Sequence, residues 1–483
     1  MCKFNFDTTY TQLPSQFYTI QNAIPVLSPE VVIVNHDLAN SMALDFSELD
    51  KGQQANLFSG NRLPKGIKTF SQAYAGHQFG HFTMLGDGRA VIWGEHVTPD
   101  KKRCDIQFKG SGQTPYSRRG DGRAALGPML REYLISEAMF ELGVPTTRSL
   151  AVVKTGEEVF RDTKLKGAVL TRVASSHIRV GTFEFAAALQ DKELIHQIMN
   201  YTIKRHFPEL INKSSNLAIS LIEKIIDSQT NLIVEWMRVG FIHGVMNTDN
   251  MALSGETIDY GPCAFMDHYN SNTVFSSIDR GGRYAFGNQP KIAQWNIARF
   301  IEALIPLINE DVNKSIKIGE ELINSFPELY EKKWLEMMRS KLGLFREFRE
   351  DKNLINDLLT WMQKNNADFT NTFIDLGKGK QPQNGIYKNK DFEDWFNKWK
   401  IRLSKNEKSL EGSLELMNSK NPQIIPRNHK VEETLKAADN DNFNPFNKLL
   451  EVLKFPYKND SQNSLYKEPP TPDERVKETF CGT

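Results

Sequence analysis

His243-Gly244-Val245-Met246-Asn247-Thr248-Asp249-Asn250, followed after a short interval by Asp259-Tyr260-Gly261, is the stretch on which the reading of this chain turns. Asn250 and Asp259 offer oxygen ligands of the kind that hold a hard ion such as Mg²⁺ or Mn²⁺. Asp249 offers a carboxylate that can take a proton. Val245, in the same loop, is aliphatic and cannot.

The spacing fits a template. Protein kinases carry a catalytic loop H-R-D-x-x-x-x-N and, one hairpin later, D-F-G. With Asn250 in the Asn position, His243 falls in the His position and Asp259-Tyr260-Gly261 replaces D-F-G. Gly244 and Val245 then stand where Arg and the catalytic Asp belong. Both metal-holding positions are filled and the position of the base is not. Either the site is inert or Asp249 does the acid–base work.

Upstream lie residues suited to phosphate. Gly86-Asp87-Gly88-Arg89 sits before a predicted strand, where glycine lets the backbone approach an anion and Arg adds a planar cation. Taken alone it reads equally well as a hairpin turn. The same tetrapeptide recurs at Gly120-Asp121-Gly122-Arg123, after Lys109-Gly110-Ser111-Gly112, so two such turns flank a strand that ends in lysine. No G-x-x-x-x-G-K-[ST] run exists, which excludes a P-loop. Lys109 closes its strand as the kinase lysine closes β3, and Glu132 on the following predicted helix is its expected partner, with Glu137 as competitor. Arg172 and Arg179 add two cations near the junction of the two halves. They are expected either at a polyphosphate or in pairs with acids such as Glu184. His177 between them reads as a structural hydrogen-bonding residue.

With 483 residues, 40% of them hydrophobic and 25% charged, the chain can bury a sizeable core. A net charge of +1 gives no bulk attraction to nucleic acid or an anionic membrane, so neither is expected as a partner. Cys2, Cys104, Cys263 and Cys481 are too few and too scattered for a disulfide scaffold or a zinc site. The first residues lack the features of a signal or transit peptide and no apolar run is long enough to span a bilayer. A cytoplasmic monomer is the expectation.

The periodicity predicts an α+β chain. Residues 1–62 read as an arm with short strands such as Val31–Val34. Residues 63–178 read as a β-rich small lobe, with strands at Ala90–Trp93, Asp105–Phe108, Ala151–Val153, Glu158–Phe160 and Ala168–Leu170 and a helix from Pro128 to Leu142. Residues 179–483 read as a helical large lobe holding the loop of 243–261 and a C-terminal helical extension. Its helices are predicted near 184–207, 215–239, 291–305, 308–324, 328–342 and 353–364. Loops are expected from Gly377 to about 390 and at Pro469-Pro470-Thr471-Pro472. The order is that of a two-lobed kinase-like fold.

Four runs carry a closer resemblance: Tyr74-Ala75-Gly76-His77-Gln78-Phe79-Gly80, Phe108-Lys109-Gly110-Ser111-Gly112-Gln113-Thr114-Pro115-Tyr116-Ser117-Arg118, Ser176-His177-Ile178-Arg179-Val180-Gly181-Thr182-Phe183-Glu184 and the opening stretch. In this order they resemble the selenoprotein O family, also called YdiU, over almost the whole chain. The resemblance implies a pseudokinase that transfers AMP from ATP to hydroxyl side chains of proteins, with the nucleotide inverted relative to a kinase. It implies nucleotide contacts from Gly86, Gly88, Arg89, Lys109, Asp121, Gly122, Arg172, Arg179 and Asp259. Glu132 would orient Lys109, Asp249 would accept the proton, and Asn250 and Asp259 would hold Mg²⁺. UTP with Mn²⁺ is the alternative known in some relatives. The family also carries a cysteine near the C-terminus, matched by Cys481, which implies a redox pairing with Cys263 or else two free thiols. An inert nucleotide-binding scaffold and a small-molecule phosphotransferase are the competing readings. Val245 favours the first and counts against the second.

Overall fold

Short apolar runs between residues 18 and 174 assemble into one antiparallel sheet. The structure, a computed structural model, describes residues 4–64, 66–383 and 385–479. Its strands are β1 (Tyr18–Ile20), β2 (Glu30–Val34), β3 (Phe70–Gln72), the hairpin β4 (Ala75–Gln78) and β5 (His81–Met84), β6 (Ala90–Val97), β7 (Arg103–Lys109), β8 (Ala124–Ala125), β9 (Arg148–Phe160) and β10 (Lys164–Ala174), with a separate pair β11 (Phe241–Ile242) and β12 (Ala264–Phe265). The main sheet runs β1-β3-β6-β7-β10-β9-β2, and β8 pairs with β10. Both strands from the first sixty residues are therefore built into the sheet, pairing with β3 and β9. The runs Ala151–Val153 and Glu158–Phe160, expected as two strands, belong to the single strand β9.

The helices that position the site are α1 (His36–Ser41), α2 (Lys51–Phe58), α3 (Leu126–Glu141), α4 (Val180–Ala188), α5 (Lys192–His206), α6 (Leu217–Val239) and α7 (Gln289–Ile308). Eight further helices among the described residues lie between Val312 and Leu453. The single helix expected over 184–207 is two. Gln190 adopts a left-handed conformation, φ 56°, and Asp191 caps α5 by accepting from the N–H groups of Glu193 and Leu194. Helix α6 ends at Gly240, φ 73°, which turns the chain into β11 and the loop that follows. None of the described helices is long and apolar enough to cross a membrane.

Side chains alternate across the sheet, and this alternation creates the site. On β7, Ile106 and Phe108 pack with Trp93, Phe46 and Phe58 in an apolar cluster on one face. Gln107 and Lys109 consequently face the other way, toward α3. The larger apolar cluster extends from α3 through α6 and α7 into the helices beyond. A buried polar knot ties α5 to the sheet: Arg205 donates to Glu95 (2.6 Å) and Asp105 (2.7 Å). His177 sits here, with its backbone N–H and Nδ1 both on Asp105 Oδ2. It is structural, and burial lowers its pKa to about 4.

Candidate active site

A cleft of about 890 Å³ opens where the sheet meets the 243–261 loop. It is lined by all of Gly86, Gly88, Arg89, Lys109, Asp121, Gly122, Glu132, Arg172, Arg179, Asp249, Asn250 and Asp259. Residues from four separate segments of the chain thus converge on one cavity.

At its floor lies a buried charge network. Lys109 Nζ donates to Glu132 Oε2 and to Asp259 Oδ1, each at 2.6 Å. Arg172 bridges the same two acids, at 3.1 Å to Glu132 Oε1 and 2.7 Å to Asp259 Oδ1, and its Nη2 donates to Gln107 Oε1 at 2.6 Å. Arg179 stands 3.5 Å from Asp259 Oδ2. Burial alone would raise the pKa of Asp259, but Arg172, Lys109 and Arg179 hold it well below the usual carboxylate range. The competitor Glu137 is occupied elsewhere, by Arg148 at 2.6 Å and by Asn35 and the Ser149 N–H. Glu184 pairs with His77 and accepts from the Thr248 hydroxyl, so it takes neither arginine.

The loop at 243–250 is held from three sides. His243 stacks on Trp236 at 5.3 Å and its Nε2 bonds Ile258 O at 2.9 Å. Gly244 has φ 73°, and a Cβ there would strike Pro262 O, so no arginine can occupy that position in this backbone. Asn250 Nδ2 donates to Val245 O at 3.0 Å, which leaves its amide oxygen as the remaining acceptor. Strand β4 and the turn after it fix the rest, through His77 N–H to Thr248 Oγ1 (2.7 Å) and Phe79 N–H to Asn247 Oδ1 (3.0 Å).

Asp249 is buried, and its Oδ1 has no hydrogen-bond partner among the described residues. Burial pushes its pKa up to about 6, against the pull of Arg179, whose Nη1 donates to Asp249 O at 2.9 Å. Asp249 rests directly on the backbone of Gly76. A Cβ at Gly76 would come within 2.9 Å of Asp249 Cβ and Cγ, and closer still to Oδ1. Gly76→Ala is therefore expected to displace the carboxylate and lower kcat by about 10- to 100-fold with little change in nucleotide affinity. Steady-state kinetics beside nucleotide titration check this.

The repeated tetrapeptide has two different fates. Asp87 is buried, accepts from Gln72 N–H (3.0 Å) and Gln107 Nε2 (3.3 Å), and burial raises its pKa to about 6. Asp121 is exposed on the rim and pairs with Arg161 at 2.9 Å. Both arginines border the cleft, and Arg123 is also tied to the backbone by donating to Ile24 O and Pro25 O. Sequence reading passes over Asp87, and also over Tyr74, whose ring lies 4.5 Å from the Arg179 guanidinium. The glycine-flanked Asp is a signal for a turn and carries none for burial. Cys263 is buried, its pKa raised to about 12 by desolvation, and Cys481 lies outside the described residues. Among the described residues, no group of three or more His, Cys, Asp or Glu side chains is placed to hold a metal by itself.

Comparison with known proteins agrees with the arrangement of motifs. The family model described as protein adenylyltransferase SelO matches residues 1–454. Proteins named protein nucleotidyltransferase YdiU are similar over almost the full length. That of Nitrosococcus oceani is 57% identical over 99% of this chain and 97% of its own. That of Pelagibacter ubique is 55% identical over 99% of each chain, and that of Bacillus cereus 54% identical over 99% of this chain and 98% of its own. The chain belongs to the SelO protein adenylyltransferase family and is a nucleotidyltransferase.

Proposed function

We propose that the protein transfers AMP from ATP to hydroxyl side chains of other proteins, within a two-lobed kinase-like frame. In this frame residues 63–178 form the small lobe, the preceding described residues belong to it through β1 and β2 rather than standing off as an arm, and the described residues from 179 onward form the helical large lobe. The observation that carries this reading is the buried Asp249 Oδ1, unpartnered among the described residues, in a cleft where a second aspartate, Asp259, is held ionised by Lys109, Arg172 and Arg179. One carboxylate is available for a proton and the other is committed to charge.

The chemistry follows from these roles. A Ser, Thr or Tyr oxygen attacks the α-phosphorus of ATP and forms a new P–O bond. The bond to the bridging oxygen breaks, pyrophosphate leaves, and the acceptor proton passes to Asp249. Lys109, Arg172, Arg179 and Arg89 supply fixed positive charge for the anionic transition state. Asn250 and Asp259 fit a divalent ion. Their donors are oxygens, and a two-residue set suits Mg²⁺ or Mn²⁺ completed by phosphate oxygens and water. Such an ion, when bound, would neutralise the charge that spreads over the phosphates.

The decisive measurement uses ATP labelled at the α- or the γ-phosphate with a protein acceptor. Retention of the α-label alone is expected. Retention of the γ-label alone would make the protein a kinase and would refute the proposal.

A further inference from the structure

We propose that the outer edge of β5 receives an extended stretch of the acceptor protein as an additional strand. This rests on the reading of the cleft as a protein-modifying site and names how the acceptor is held there. The β4–β5 hairpin stands apart from the main sheet as its own two-stranded unit. Its inner strand, β4, is consumed by α4 and the Asp249 loop. Among the described residues its outer strand, β5, pairs only with β4.

The register says which backbone groups of β5 are free. Leu85 N–H bonds Tyr74 O, so residues 74 and 85 form a hydrogen-bonded pair. Antiparallel pairs alternate, so 76/83 and 78/81 are also hydrogen-bonded, and 75/84 and 77/82 are not. His77 N–H accordingly points outward on the other side, to Thr248. By the same alternation the N–H and C=O of Phe82 and Met84 point away from β4. They find no partner among the described residues. An edge strand with such a row is a template for strand addition.

Three features favour an acceptor polypeptide over any other occupant. First, the edge is continuous with the catalytic cleft: Gln78 and Phe79 before β5 and Leu85 and Gly86 after it all line the cavity that holds Asp249. A chain laid along β5 thus passes beside the base. Second, Phe82 and Met84, on one face of β5, are each 46% exposed and offer apolar contact to alternate side chains of an added strand. Third, the surroundings are basic. The Arg283 guanidinium lies against the turn at Gly80, 4.8 Å from the Trp295 ring, without a carboxylate partner among the described residues. Arg118 and Arg119 are exposed at the rim of the cleft, also without one. Backbone pairing reads no particular side chain, so the preferred acceptor is an extended, acidic segment carrying a hydroxyl.

The test uses reduced, carboxymethylated α-lactalbumin, an acidic chain that stays unfolded, as acceptor for α-labelled ATP. Met84→Pro removes one outward N–H at an edge position where proline is tolerated, and Met84→Leu keeps both the N–H and the apolar bulk. Met84→Pro is expected to raise KM for the acceptor about tenfold, with Kd for ATP unchanged, while Met84→Leu stays within about twofold of wild type. Phe82→Pro, at the next outward-facing position, gives the same reading should Met84→Pro lower the melting temperature. An unchanged acceptor KM in the proline variants, or an equal rise in Met84→Leu, would overturn the proposal. So would wild-type enzyme that labels folded proteins but not the unfolded acceptor. Failure of the wild type to transfer any α-label is a separate result, which refutes the nucleotidyl-transfer reading instead.

Discussion

Asp249→Asn is expected to abolish most transfer, by a factor of about 10²–10⁴, and at the same time to stabilise the folded protein. The two effects have one cause. The carboxylate is buried with Oδ1 unpartnered, and burial raises its pKa from 3.8 to about 6. A carboxyl group raised in the folded state contributes stability that is fully present below pH 3.8 and is lost as pH rises through 6. Above that pH the protein carries a buried charge at a cost of about 3 kcal/mol, the free-energy equivalent of that rise in pKa. Asparagine keeps the shape and removes the charge. In metal- and nucleotide-free protein, the variant should therefore melt higher than wild type at about pH 8, with the difference vanishing near pH 4. Calorimetry at the two pH values checks the sign, and transfer from α-labelled ATP checks the role. Unchanged turnover would remove Asp249 as proton acceptor.

Asp259→Ala should fail in the opposite manner, losing both activity and stability. Its carboxylate is the common partner of Lys109 (2.6 Å) and Arg172 (2.7 Å), with Arg179 at 3.5 Å. Truncation leaves Glu132 alone to face Lys109 and Arg172. Breaking a buried pair in this way costs about 3 kcal/mol, because the cations remain without their counter-charge. The sign agrees with the direction of the shift: a depressed carboxylate contributes stability above its unfolded pKa and loses it as pH falls through the folded value. If Asp259 holds a divalent ion as proposed, its loss is expected to remove several kcal/mol of transition-state stabilisation, so transfer should fall by about 10³ or more. Denaturant unfolding near neutral pH and metal titration by calorimetry separate the two effects. Two aspartates close together in sequence thus carry opposite thermodynamic signatures, in keeping with the proposed roles of base and permanent anion.

Much of this is legible in the chain itself. The spacing from His243 to Asn250 and the D-Y-G run are local patterns, and the residues expected to share a site do line one cleft. Apolar positions repeating at helical spacing predict a helix from Pro128 to Leu142, and α3 runs Leu126–Glu141. The choice of Glu132 over Glu137 as the partner of Lys109 holds for a geometric reason. Residues five apart on a helix point in different directions, and Glu137 is turned toward Arg148.

Other features are invisible in sequence because they arise where distant backbones meet. Gly-Asp-Gly-Arg occurs twice with identical letters, yet one Asp is buried and the other is exposed. The break between α4 and α5 comes from a left-handed Gln190, which no periodicity announces. The sequence by itself singled out the residues proposed for nucleotidyl transfer: Asp249 as the proposed base, Asn250 and Asp259 as proposed metal ligands, and Lys109, Arg172 and Arg179 as proposed cations. Only the tertiary structure decided how Asp249 differs from Asp259. That difference depends on Gly76 lying against one carboxylate and on three cations converging on the other, and desolvation and Coulomb attraction act between atoms close in space whatever their distance along the chain.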